Sequence, residues 1–172
     1  MGTADRRQGV ISLTWGQLHQ DVRSLAAQLA DKGPFKGIVA VARGGLVPAG
    51  ILSRECNIRL VETVCIQSCE EQIYAPEARV LKTFSQDSGR GWLVVDDMAA
   101  TGRTTALLRA MLPKARIAAV YAKAQGIAHL DYFVVKVPQD AWLLFPWDSQ
   151  NPAPTKKGSR TTAQEARHEP GA

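Results

Sequence analysis

The stretch WLVVDDMAATGRTT, residues 92–105, narrows the fold more than any other part of the chain. Residues 92–96 are mostly apolar and β-prone, which suits a strand buried within a parallel sheet. Asp96 and Asp97 stand where that strand is expected to end. The small residues Ala99, Ala100, Thr101 and Gly102 make a turn, and Arg103 leads into a helix-like run that stops at Pro113. Strand, polar turn and helix start, in that order, form a unit of the open α/β sheet, whose ligands collect outside the carboxyl ends of its strands. A helix start also presents backbone N–H groups to an anion. Thr101, Gly102, Thr104 and Thr105 are therefore suited to wrap a phosphate, and the paired carboxylates to hold sugar hydroxyls or a hard cation.

No Gly-Lys-Ser/Thr follows, so the turn is not a Walker A loop. Two acidic residues followed by Thr-Gly and a further Thr, after an apolar strand, instead resemble the phosphoribosyl diphosphate (PRPP) signature of the type I phosphoribosyltransferases. A second loop supports that resemblance. Residues 37–41, GIVAV, read as a buried strand and run into Arg43, Gly44 and Gly45, with Pro48 near the start of the next helix. The glycines let backbone pass close to a ligand, and Arg43 adds a forked cation at the same edge. Strand followed by Arg-Gly-Gly resembles the pyrophosphate loop of the purine phosphoribosyltransferases, in which the peptide between the equivalents of Arg43 and Gly44 is often cis. Two such loops about 50 residues apart fit the two ends of one PRPP molecule.

The rest of the chain is consistent with one α/β domain over residues 1–150. Residues 12–29 show helical spacing in Trp15, Leu18, Val22, Leu25 and Leu29, and Thr14 with Gln17 makes a capping box. His19 falls on the polar side of that helix. Residues 58–66, 116–121 and 131–137 read as further strands. Residues 67–90 are long and polar, with Cys69, Glu70, Glu71 and Pro76, and a loop of that length is commonly a lid over an active site. Lys123 follows a strand end on the ligand side of the sheet. Residues 138–150 are rich in aromatics, and Trp142 is suited to stack on a flat base. Residues 151–172 lose all periodicity and are expected to form a disordered tail.

Composition limits the function classes. The 172 residues are 45% hydrophobic, enough for a sizeable core. No window approaches the ~18 apolar residues of a membrane span, and the first ten residues carry no signal-type apolar region. Three cysteines without CxxC spacing read as reduced thiols, so a cytoplasmic protein is expected. The net charge of +5 favours anionic partners and leaves peripheral contact with a membrane surface open. No basic run is interleaved with aromatics, so a nucleic-acid platform lacks support.

In order and span, the segments Leu13-Thr14-Trp15, VARGGLVPAG, VVDD, AKAQG and VPQDAWLLFPWD resemble the bacterial xanthine-guanine phosphoribosyltransferases over residues 11–148. The resemblance implies the type I phosphoribosyltransferase fold, a twisted and mostly parallel sheet flanked by helices, with a small C-terminal hood at about 138–150. It implies transfer of the phosphoribosyl group from PRPP, with Mg2+, to guanine, xanthine or hypoxanthine, in a homodimer or homotetramer. Carried over, Arg43, Gly44 and Gly45 match the pyrophosphate loop. Asp96 and Asp97 match the ribose pair, with Asp97 the magnesium contact, and positions 100–104 (Ala100, Thr101, Gly102, Arg103, Thr104) match the 5′-phosphate cradle. Lys123 matches the lysine at the purine 6-oxygen, Trp142 the stacking aromatic, the Leu143 backbone the reader of the base edge, and Asp148 a group near the 2-position.

Three positions depart from the family. Ala100 replaces the carboxylate assigned as base at purine N7, and a methyl group accepts no proton. Arg103 replaces a glycine, and Ser68-Cys69 replaces the Ser-Tyr of the lid. Glu70 and Glu71 are the candidates to stand in as base. The alternative that Ala100 raises is a sensing protein of the same fold that binds PRPP or a purine nucleotide without turning it over.

Overall fold

A computed structural model describes residues 9–67, 78–84 and 87–148. The expected lid glutamates Glu70 and Glu71, with Ser68 and Cys69, lie outside the described residues, as does the segment from 149 onward.

The chain opens with strand β1 (Val10–Ser12) and helix α1 (Trp15–Leu29). Residue 12 thus belongs to a strand, and the helix begins three residues later than its apolar spacing suggests. Thr14 is the reason: its extended backbone stops the helix there, and its side chain accepts the Gln17 N–H at 3.1 Å. Gln17 does not reach back to complete the capping box. Its amide donates to Asp21 Oδ1 at 3.0 Å.

Strand β2 (Gly37–Ala42), helix α2 (Leu46–Glu55), β3 (Val61–Gln67), β4 (Arg79–Lys82), β5 (Trp92–Ala99), α3 (Arg103–Met111), β6 (Arg116–Lys123), β7 (Tyr132–Val137) and β8 (Trp142–Leu144) follow. Six strands form one sheet in the order β4-β3-β2-β5-β6-β7, parallel except for β4, which runs antiparallel to β3. The segment 67–90 is therefore not one irregular loop, since part of it extends the sheet edge. Strand β3 starts at Val61 rather than 58, because Ile58 is recruited by the end of α2 through an N–H bond to Ser53 O at 2.9 Å.

The central strands are apolar on both sides, as burial under two helical layers demands. Ile38, Ala40, Leu93, Val95 and Ala118 meet Leu18, Val22 and Leu25 of α1 and Leu52 of α2. The alternate residues Val39, Val41, Val94 and Ile117 meet Leu108 of α3 and Leu112 just beyond it. Strands β1 and β8 make a separate parallel ribbon, with Val10 opposite Trp142 and Ile11 opposite Leu143. His19 is exposed beside Glu55, on the polar side of α1. Among the described residues, no helix is long and apolar enough to cross a membrane.

At the end of the sheet opposite the carboxyl termini, Asp131 gathers three donors. Its Oδ2 accepts Arg109 Nη2 at 2.7 Å and the Ile117 N–H at 2.7 Å, and its Oδ1 accepts Arg116 Nη1 at 3.0 Å. Burial works against the charge, but these bonds hold the carboxyl below its ordinary value of 3.8. Asp131→Ala should cost about 2 kcal/mol, because Arg109 and the Ile117 N–H lose their acceptor. A lowered native pKa stabilises the fold above the unfolded value, and this contribution disappears as pH falls through the native one. Thermal scans should accordingly show a Tm gap on the order of 5 °C near neutrality that closes in acid.

Candidate active site

The two central strands, β2 and β5, release their chains side by side, and a cleft of about 760 Å3 opens there. Arg43, Gly44, Asp96, Asp97, Ala100, Thr101, Gly102, Arg103, Thr104 and Trp142 all line it. Residues from two loops and from the C-terminal ribbon, far apart in sequence, therefore face one space.

The loop after β2 is held down by its own backbone. Gly45 N–H donates to Val41 O at 2.8 Å, and Leu46 N–H to Arg43 O at 3.1 Å. Gly45 lines no part of the cleft; it lies against the carbonyls of Val41 and Val95, where a Cβ would collide with main chain. Its role is close packing. Gly44 has a different neighbour, since a Cβ there would land on the carboxylate of Asp97. The Arg-Gly-Gly loop and the acidic pair thus touch. The cis peptide in this loop joins Ala42 to Arg43, one bond earlier than the resemblance implies.

Both aspartates lie within β5, which runs on to Ala99 rather than stopping at residue 96. Asp96 Oδ1 accepts the Asp97 N–H at 3.0 Å, and Asp97 Oδ1 accepts the Met98 N–H at 2.7 Å. Burial, and then the adjoining Asp97 charge, push the Asp96 carboxyl well above its ordinary range. Burial raises Asp97 too, against the hydrogen bonds from Asp96 and the Met98 N–H, and the charge of Asp148 adds to the effect. Two adjoining carboxylates, Asp96 buried and Asp97 half-buried, attract a cation. Among the described residues, no group of three or more His, Cys, Asp or Glu side chains gathers as a metal cage. From the described residues a hard cation would take two carboxylates here, leaving the rest of its shell to substrate oxygens and water, an arrangement suited to Mg2+.

Beyond β5 the turn reaches Gly102, which caps α3 in the left-handed region at φ 82°. A side chain there would be strained by the backbone and would also approach Gln125 O at 2.9 Å. Ala106 N–H makes the first helical bond, to Gly102 O at 2.8 Å, so the N–H groups of residues 103–105 belong to the helix's unpaired first turn. Arg103 and Thr101 are exposed beside them. Thr105 is not a phosphate donor through its hydroxyl, contrary to expectation: it is buried, and Oγ1 donates to Gly102 O at 2.9 Å.

The base-side residues are less tightly gathered. Trp142 is 41% exposed and lines the cleft, whereas Lys123, Leu143 and Asp148 do not line it. Lys123 closes β6, and its carbonyl accepts the Gly126 N–H at 2.9 Å. Leu143 buries its side chain in the core. Trp142 N–H donates to Gly9 O, and Leu144 O accepts from Leu13 N–H. Alternation along a parallel ladder then turns the N–H and C=O of Leu143 away from β1. Asp148 has a structural task, since its Oδ2 accepts the Phe145 N–H at 2.9 Å and closes a turn. Cys65 and Gln67 of β3, with Leu81 of β4, form a wall that the motifs did not indicate. The signal was available in strand adjacency, because Cys65 pairs with Ala42 and so must end beside Arg43.

Comparison with known proteins agrees with this architecture. Residues 14–151 match the model of the phosphoribosyl transferase domain. The chain is 52% identical over 150 residues to a xanthine-guanine phosphoribosyltransferase of Nitratidesulfovibrio vulgaris strain Hildenborough, covering 87% of this chain and 91% of that protein. It is 46% identical over 148 residues to the enzyme of that name from Desulfotalea psychrophila, covering 86% and 92%. The crystal structure of a purine phosphoribosyltransferase from Pyrococcus horikoshii superposes with a TM-score of 0.70 at 25% identity, over 87% of this chain and 99% of that one. The xanthine-guanine-hypoxanthine phosphoribosyltransferase of Helicobacter pylori shares the fold, with a TM-score of 0.62 at 21% identity over 80% and 93%. With its mostly parallel sheet, its two loops in contact and its helix start beside an acidic pair, the chain belongs to the phosphoribosyl transferase domain family.

Proposed function

We propose that this protein is a purine salvage enzyme that transfers the 5-phosphoribosyl group of PRPP to N9 of a 6-oxopurine, releasing pyrophosphate. The observation that carries the proposal is the contact of Gly44 with the Asp97 carboxylate beside the Gly102 helix start, in a chain whose curated relatives are named xanthine-guanine phosphoribosyltransferases. All three segments line one cleft, which supports reading the Arg43 loop as the pyrophosphate site, the acidic pair as the ribose site and the α3 start as the 5′-phosphate site of one PRPP. The family resemblance also supports a cytoplasmic homodimer or homotetramer.

In this reading Arg43 and the loop amides bind the departing pyrophosphate, and Asp96 and Asp97 hold the ribose hydroxyls, with Asp97 the side chain toward Mg2+. When bound, Mg2+ neutralises charge on the diphosphate and strengthens it as a leaving group. Thr101, Thr104 and the amides of the α3 start fix the 5′-phosphate, and exposed Arg103 adds a charged donor. Trp142 stacks on the base and the Leu143 main chain reads its edge. Lys123 donates to the 6-oxygen; adenine offers an amino donor there, which cannot accept that bond. The C1′–N9 bond forms as the bond from C1′ to the pyrophosphate oxygen breaks, and the proton that the purine gives up passes to water. Holding both reactants in line and stabilising the departing charge carry most of the acceleration.

Ala100 lines the cleft but has no proton acceptor. Turnover is therefore slower than in an enzyme with a carboxylate there, or falls to Glu70 or Glu71. The same residue favours a second reading, a PRPP or purine-nucleotide sensor. Pyrophosphate release with PRPP, Mg2+ and each of guanine, xanthine, hypoxanthine and adenine separates the two. Turnover with a 6-oxopurine and not with adenine is the expected result; nucleotide binding without turnover on any base would establish the sensor. Ala100→Asp should raise the rate on the order of tenfold, a fraction of what a positioned base supplies. An unchanged rate would mean that N7 needs no protein base here.

A further inference from the structure

The ribbon that carries Trp142 and Leu143 is joined to the domain by an aromatic wedge whose placement the mechanism above does not use. Residues of the ribbon alternate: Ala141, Leu143 and Phe145 point into the core and are 4–6% exposed, while Trp142 turns outward. Phe145 is the last inward residue, and its ring is held on two sides. Trp147 stacks on it at 4.7 Å between centroids and 11° between planes, and Tyr121 meets it edge-on at 5.7 Å and 69°. The turn behind it is closed reciprocally, with Phe145 N–H donating to Asp148 Oδ2 at 2.9 Å and Asp148 N–H to Phe145 O at 3.0 Å.

Tyr121 is itself fixed. It is 1% exposed, and its hydroxyl donates to Asp21 Oδ2 of α1 at 2.7 Å. It also lies two residues before Lys123 on β6, and the regular pairing of Tyr121, Ala122 and Lys123 with Val135, Lys136 and Val137 puts Tyr121 and Lys123 on one face. The contact between Tyr121 and Phe145 thus joins the strand that ends in Lys123 to the ribbon that presents Trp142.

We infer that Phe145 is a positioning residue for the purine: its ring, clamped between Tyr121 and Trp147, sets the spacing between Lys123 and the Trp142–Leu143 edge. The inference rests on the base site proposed above. It requires that loosening the wedge weaken binding of the base and leave the phosphate end of the site unaffected. Small displacements of a positioning surface are sufficient, since a shift of about 1 Å can cost up to ~10²-fold.

The test is binding of GMP and of ribose 5-phosphate, measured by calorimetry on the full chain and on two variants. Phe145→Leu keeps the core filled but removes both ring contacts. The Kd for GMP should rise about tenfold, while that for ribose 5-phosphate changes less than about twofold. Tyr121→Phe keeps the ring and removes the donor to Asp21, so it should lower Tm and leave the ratio of the two affinities unchanged. If both ligands weaken together in Phe145→Leu, or if Tyr121→Phe shifts the ratio equally, Phe145 only fills the core and the inference is wrong. If the unmodified protein binds GMP no better than ribose 5-phosphate, the base site itself is misplaced and the inference falls with it.

Discussion

Asp97→Asn should slow transfer on the order of 10³-fold and at the same time make the metal-free protein more stable. The side chain keeps its shape, and its Oδ1 still accepts the Met98 N–H, which lies at 2.7 Å. What it loses is charge at the place where a cation and the ribose hydroxyls are held. Removing a preorganised electrostatic group of this kind costs on the order of 10³-fold in kcat/KM. The stability gain follows from the raised carboxyls. Where the native pKa lies above the ordinary 3.8, the native state binds more protons than the unfolded state between the two values. Stability then falls as pH rises through that window, because a buried and a half-buried charge must form side by side. Thermal scans of the metal-free protein should thus show Tm declining with pH above about 4, and the variant should show a shallower decline. Mg2+ with PRPP should restore Tm at neutral pH in the unmodified protein alone. Full activity in the variant would remove Asp97 from the proposed site.

The sheet and its ligand edge were legible because their signals are local. The GIVAV and WLVV runs, the small-residue turn ending at Gly102 and the Thr14 cap each determine their own few residues. Boundaries failed where a local bond moved them, as at Ile58, or where a long-range partner decided them. Ser12 reads as the beginning of an apolar helix, yet its segment pairs with β8, more than 100 residues later. Arg79–Lys82 is too polar to read as a strand, but pairs with β3 at an edge where one side meets solvent. Within the site, residue chemistry predicted which groups face the cleft better than it predicted what they do. Thr105 and Gly45 were read as ligand contacts, but burial converts the first into a brace for Gly102 and the second into a contact between strands. Asp148 has a structural task that its residue type did not indicate, the bond from Phe145 N–H to its Oδ2.

The adjacent glycines 44 and 45 should respond oppositely to the same substitution. The nearest atoms a methyl group at Gly44 would meet are the carboxyl end of Asp97, a side chain that can rotate away at small cost to the fold. That rotation breaks the bond to the Met98 N–H and carries the carboxylate out of its place, so Gly44→Ala should lower kcat/KM by about 10²-fold while Tm moves by only a few degrees. At Gly45 the methyl group meets the main-chain carbonyls of Val41 and Val95, which belong to the two central strands and cannot yield. Gly45→Ala should therefore cost about 3 kcal/mol, the upper end of overpacking in a filled interior. Because Gly44→Ala acts by displacing Asp97, its effect on turnover should nearly vanish in an Asp97→Asn background, where additivity would otherwise multiply the two losses. Residual rates in the single and double variants, measured beside their melting temperatures, check this. A Gly44→Ala protein as unstable as Gly45→Ala, or one whose loss persists undiminished beside Asp97→Asn, would show that the loop and the acidic pair act separately.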